Sequence, residues 1–432
     1  MTNMIEFLKP EKGVLMTSLK TQHLKKTLIA LLLVMSVFTL SACSLLTTLQ
    51  SKVGGLLNRA TPTPADPAVA VAALADEKII EGIQEAVDTY ARAFNNNDLE
   101  MLQSVVDPEN LPFKRLVTSR FTELQSSIYA SYINENYAVQ SIQRMPLGFV
   151  LAHLISDGAY AHDWLFRQFD GKWVLSEPTE AQFGKPTDKE TEHFIYMLYP
   201  WSEQMNEQII DLMENAAVRV ENKLGKLPPE KARVEILPGY SADPFADPNS
   251  LAYYQTGSTG ELDKMVIFSP NSYSFGWYYE DEGWEGELEG TLVHEYTHMA
   301  HQRAFGKAGK LLDWFSEGLA EFVSDSLRYY EISDVPDDQL IPILDTSVTI
   351  NQQDLGHIYL LESNISLAYA EAESLIMFIY EKYGGMDGVW AFAAAHDEHQ
   401  NYDEALQAAF GIDLATFDSE WRAWLRSDLL VD

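Results

Sequence analysis

Thr291-Leu292-Val293-His294-Glu295-Tyr296-Thr297-His298-Met299-Ala300, followed by Trp314-Phe315-Ser316-Glu317-Gly318-Leu319-Ala320-Glu321, decides how this chain reads. Leu292, Val293, Tyr296, Met299 and Ala300 recur at helical spacing, and Gly306 offers a stop, so the first segment reads as a buried helix. On a helix His294 and His298, four apart, project from one face, where a single metal ion can take both imidazoles. Glu295 sits one step round and can hold a water beside that metal as a base. This H-E-x-x-H pattern points to zinc-dependent hydrolysis.

Catalytic zinc sites keep three protein ligands and one open position, and His₂Glu is an established set. Eighteen residues separate His298 from Glu317. That is room for the end of one helix, a turn at Gly306-Lys307-Ala308-Gly309 and a return on which Glu317 faces the histidines. Glu321, one helical turn further on, is placed to orient a ligating histidine.

Together the H-E-x-x-H, the eighteen-residue gap and Trp314–Glu321 resemble the gluzincin metallopeptidases, with their thermolysin-like core, and the bacterial peptidase MA-like families most. The metzincin pattern differs, needing Gly and His where this chain has His301 and Ala304. The resemblance covers about Glu192 to the C-terminus and implies a zinc metallopeptidase with His294, His298 and Glu317 as ligands and Glu295 as base. It also implies a tyrosine whose hydroxyl reaches the tetrahedral intermediate. Tyr369, at the start of an expected helix running to about Lys382, fits better than Tyr359.

Ahead of this region the leader reads as an export signal. Lys25-Lys26 precede an apolar run from Thr27 to Leu40, which ends in Leu40-Ser41-Ala42-Cys43. That ending resembles the bacterial lipobox and implies lipidation at Cys43, with residues 1–42 removed. Met16 opens a more conventional signal than Met1. The run of 14 residues is shorter than the ~20 needed to span a bilayer. The expected location is therefore the cell envelope, outside the cytoplasm, with a lipid anchor in the membrane. Cys43 is the only cysteine, so no intrachain disulfide forms. Residues 43–76, with Gly54-Gly55 and Thr61-Pro62-Thr63-Pro64, read as a flexible tether.

The net charge of −34 makes nucleic acid an unsuitable partner. With 46% hydrophobic residues the chain can bury full cores, and its length suggests more than one. Residues 77–185 read as helices followed by antiparallel strands at Tyr137–Ile142, Gly148–Ile155, Ala159–Gln168 and Trp173–Ser176. Asp157-Gly158 and Asp170-Gly171 serve as hairpin turns. This α+β order resembles the nuclear-transport-factor-2-like (SnoaL-like) cone, which implies a binding or spacer module. His153 and His162 there read as structural.

Residues 186–432 are expected to form the mostly helical metallopeptidase part, with a small sheet. It opens on a helix over Glu192–Leu224, has strands at Ala232–Leu237 and Met265–Phe268, and ends in a helical cap over Tyr402–Leu429. The resemblance implies that the second strand borders the substrate cleft. Tyr273–Tyr279 either packs over the core or lines the substrate, and the acidic residues near Asp243 and Asp247 lack calcium-loop spacing. The expected partner is a peptide or protein substrate, with oligomeric state undetermined. Two alternatives stay open. One is a binding lipoprotein that keeps the fold without catalysis, against which the intact Glu295 argues. The other is an aminopeptidase, although the Gly-x-Met-x-Asn segment of zinc aminopeptidases is absent before His294.

Overall fold

In the computed structural model, residues 74–127, 130, 133–225, 230–243, 250–255, 263–304, 313–324 and 365–426 are described. Cys43, the leader, the tether and Tyr359 lie outside them. The described residues all belong to one compact unit, and they are α+β.

Helix α1 (Asp76–Asn95) buries Ile79, Ile83, Val87, Tyr90 and Phe94, its i, i+4 stripe. α2 (Leu99–Gln103) starts where Asp98 accepts the Met101 amide, and α3 (Leu111–Ser126) where Asn110 accepts that of Phe113. Strands β1 (Tyr137–Arg144), β2 (Val150–Ser156), β3 (Tyr160–Phe169) and β4 (Lys172–Leu175) follow as an antiparallel meander. Both Asp-Gly turns form as the sequence leads one to expect. Asp157, Gly158, Asp170 and Gly171 all have φ between 49° and 76°, the left-handed region that two-residue hairpins require.

The next segment corrects the helix expected from Glu192. Thr187–Glu190 is strand β5 and Phe194–Leu198 is strand β6; helix α4 begins only at Glu203 and ends at Leu224. Phe194, Tyr196 and Leu198 alternate with less buried neighbours. That period of two belongs to a strand, and Pro200 separates it from the helical pattern beyond. β6, α4 and β7 (Ala232–Leu237) form a parallel crossover unit. β9 (Lys264–Phe268) extends the sheet in parallel, and β8 (Ala252–Gln255) closes the edge antiparallel, giving the order β5-β6-β7-β9-β8.

This second sheet is covered on both faces. Met265 and Ile267 of β9 point into the larger core, with α4 and the C-terminal helices, while Val266 and Phe268 point into the core built by α1–α3 and the first sheet. A strand buried on two faces reads as an unbroken apolar run, as Met265–Phe268 does. Beyond it, Tyr278–Tyr279 forms β10, which adds to β3 opposite Tyr160 and Ala161. The chain then enters α5 (Gly283–Ala304), α6 (Asp313–Ser324) and α7 (Ile365–Lys382). The expected cap is two helices, α9 (Tyr402–Phe410) and α10 (Leu414–Trp424), broken at Gly411 and preceded by α8 (Met386–His399). No helix among the described residues is long and apolar enough to cross a membrane.

Candidate metal centre

α5 is buried nearly all round. Leu288, Leu292, Val293, Tyr296, Met299 and Ala300 face the larger core, while His294, His298 and His301, at i, i+4 and i+7, form a second buried face. α6 is anchored by Trp314 and Phe315. The indole of Trp314 donates to the Tyr402 hydroxyl at 2.8 Å, and both rings pack around Phe392. With that face of α6 turned to the core, Ser316, Glu317 and Glu321 meet the histidines of α5.

Three ligand atoms converge. His294 Nε2 and His298 Nε2 are 3.1 Å apart, and Glu317 Oε2 lies 3.2 Å from the first and 3.3 Å from the second. The edge of a tetrahedron with metal–ligand bonds of 2.0–2.1 Å is about 3.3 Å, so this triangle fits one face of a tetrahedral zinc site. Burial pushes the Glu317 carboxyl towards its neutral form. The imidazoles of His294 and His298 beside it outweigh that and hold it well below the usual carboxylate range, leaving the ionised form that a cation needs.

Behind the triangle each histidine is held from its other nitrogen. His294 Nδ1 is 3.0 Å from Glu321 Oε1, a carboxylate only 5% exposed. His298 Nδ1 is 2.9 Å from Ser316 Oγ, and His301 Nε2 reaches the same oxygen at 2.9 Å. His301 is almost wholly buried, which pushes its pKa down to about 3 and keeps the ring neutral. Ser316 and His301 were not among the sequence candidates. The signal that could have found His301 is its spacing, one turn beyond His298 on the ligand face.

Glu295 points from α5 towards the edge of the second sheet, where its Oε2 accepts the Tyr254 amide of β8 at 2.9 Å. The strand beside the centre is therefore β8, and β9, expected there, lies one strand further in. β8 escaped sequence reading because it is short and its neighbours in sequence are mostly polar and small. Tyr369, on α7, has its ring centred 6.3 Å from that of His294. Gly318 lets α7 approach α6. A Cβ there would sit 2.3 Å from the Ala372 carbonyl oxygen, a contact that backbone cannot relieve.

The aromatic segment before α5 packs inward. Tyr273, Phe275 and Tyr278 are buried, as is Trp284 at the start of α5, and Trp277 is exposed. Tyr273 OH meets Tyr90 OH at 2.6 Å, and Arg120 donates to the carbonyls of Tyr273 and Ser274. His162, pushed by burial to a pKa of about 4, lies 3.0 Å from the Gly276 carbonyl and 2.9 Å from Ser156 Oγ. It acts as a structural pin, and His153 is likewise paired with Asp163.

Residues 282–427 match the Peptidase MA superfamily model. The match spans α5 to α10 and takes in all three converging side chains, which supports a peptidase of the zincin-like, metal-dependent kind. No curated protein matches the chain.

Proposed function

We propose that this chain is a zinc-dependent peptidase that cleaves peptide or protein substrates outside the cytoplasm. One observation carries the reading: His294 Nε2, His298 Nε2 and Glu317 Oε2 form a triangle of zinc-site dimensions on two buried helices. His294, His298 and Glu317 would hold the ion. Zinc so bound supplies a Lewis acid for the scissile carbonyl and brings the pKa of water towards ~7.

The other tasks fall to side chains around it. Glu295 takes the proton of the attacking water and returns it to the leaving amine. The Tyr369 hydroxyl, from its place beside His294, donates to the oxygen of the tetrahedral intermediate. Glu321 keeps the His294 proton on Nδ1, so that Nε2 is free. Substrate main chain pairs with the outer edge of β8, next to Glu295.

Residues 77–185 are a SnoaL-like accessory module, and Cys43 is the lipidated residue that ties the chain to the membrane through the 43–76 tether. Glu295→Gln tests the catalytic reading. Zinc should remain near one per chain while hydrolysis of a mixed peptide library falls by at least ~10²-fold. Full activity in that variant, or after chelation, overturns it. For the anchor, Cys43→Ser should release the chain from the membrane fraction, and unchanged retention would argue against lipidation.

A further inference from the structure

The two histidines of the triangle are held by chemically different partners. Glu321, as a carboxylate, can only accept, so His294 must donate through Nδ1 and present a bare Nε2. Ser316 is a hydroxyl and can either accept or donate. If Ser316 donated to His298 Nδ1, the ring proton of His298 would move to Nε2 and block the lone pair that a metal needs. Ser316 alone therefore does not determine which way His298 faces.

His301 offers the hydroxyl proton an acceptor. Its Nε2 lies 2.9 Å from Ser316 Oγ, the same oxygen that lies 2.9 Å from His298 Nδ1. A hydroxyl has one proton. Once that proton is given to His301 Nε2, the oxygen is left to accept from His298 Nδ1–H. We propose that His301 is a positioning residue, which accepts the Ser316 hydroxyl proton and so sets His298 in the tautomer whose Nε2 is open to metal. This rests on the metal-centre reading above.

The direction of the chain follows from the metal reading: an ion on His298 Nε2 would leave the ring proton on Nδ1, so Ser316 Oγ accepts there and its own proton is directed to His301 Nε2. His301 is 1% exposed, and its Nδ1 has no hydrogen-bond partner among the described residues. With Nε2 accepting, the ring proton sits on Nδ1, and the run of hydrogen bonds ends there. Leaving a buried polar group unsatisfied costs folding free energy. A hydrophobic side chain at this position of α5 would avoid that cost, so packing alone does not account for a histidine.

The test uses the full chain and measures zinc affinity by competition with a chromophoric chelator, together with ring-nitrogen NMR of the metal-free protein. Ser316→Ala and His301→Phe should each weaken zinc binding about 10–100-fold, the range for an outer partner of a ligating histidine. The double variant should be little weaker than Ser316→Ala, because both changes break one shared chain. His301→Gln, whose amide oxygen can accept from Ser316, should stay within about threefold of wild type. The spectra should show His298 protonated at Nδ1 in wild type and His301→Gln, and as a tautomer mixture in His301→Phe.

Wild-type affinity in His301→Phe overturns the proposal, and so does equal weakening in His301→Gln, which would mean that the ring only fills space. If His301→Phe fails to fold, the wild-type spectrum decides, since a His298 with no proton on Nδ1 contradicts the chain. A wild-type protein that takes up no zinc overturns the metal centre and the relay with it.

Discussion

Glu317 and Glu321 lie on one face of α6, four residues apart, yet meet opposite sides of the same imidazole. Glu317 Oε2 is near Nε2 of both histidines, and Glu321 Oε1 is at Nδ1 of His294. The two carboxylates should therefore fail differently. Glu317→Ala removes a direct ligand and should abolish stoichiometric zinc. Glu321→Ala frees His294 to rotate and change tautomer, and should cost about 10–100-fold in affinity. Zinc titration of the pair checks this, and the reverse pattern would exchange their roles. Tyr369→Phe keeps the ring beside His294 but removes the hydroxyl. Zinc affinity should be unchanged while kcat falls, with a ceiling near 10²–10³-fold for a lost oxyanion donor. An unchanged kcat would take Tyr369 out of the mechanism.

Among the helices, the approach of α6 to α7 sets where Glu317 and Tyr369 stand. Gly318 permits it, its missing Cβ being replaced by the Ala372 carbonyl at 2.3 Å. On an isolated helix Gly318→Ala would stabilise by about 1 kcal/mol. Here the clash is with backbone, and overpacking of this kind costs about 1–3 kcal/mol. The steric term should win. Gly318→Ala is expected to lower the melting temperature and weaken zinc together, as α6 is pushed off α7. A variant more stable than wild type would show that the two helices can part without harm.

Over the whole molecule, Glu177 joins segments far apart in sequence. Its carboxylate accepts the amides of Tyr240 and Tyr273 at 2.8 and 2.7 Å, and its carbonyl accepts the Asn110 side chain. Complete burial pushes its pKa up to about 7, against the pull of those amides and of Arg120. The folded carboxyl thus holds its proton more tightly than the unfolded one, whose pKa is near 4.5. Its contribution is fully present below pH ~4.5 and is lost as pH rises through ~7, a swing of about 3 kcal/mol at most. Glu177→Gln should be less stable overall, since an amide nitrogen would confront one of the two N–H groups. Its unfolding midpoint should nevertheless fall less than that of wild type between pH 5 and 7. An identical pH slope in urea titrations would place the dependence elsewhere.

Local chemistry determined the parts that sequence alone could supply. His294, Glu295 and His298 are spaced by the helical repeat, the Asp-Gly turns by their left-handed preference, and the α1 stripe by burial of one face. Glu317 was within reach because an eighteen-residue gap has room for a turn and a return helix, and α6 carries it. Periodicity was silent where an element is too short to show a period, as in β5, β8 and β10, and it misled where a strand abutted a helix at Phe194–Leu198. Only the tertiary structure placed β8 beside Glu295, brought Tyr369 to His294, and set Ser316 between His298 and His301. Those contacts depend on how closely α6, α7 and the second sheet approach α5. Such distances are decided by the packing of whole faces, by a missing Cβ at Gly318 and by buried anchors such as Trp314, and no single stretch of chain encodes them.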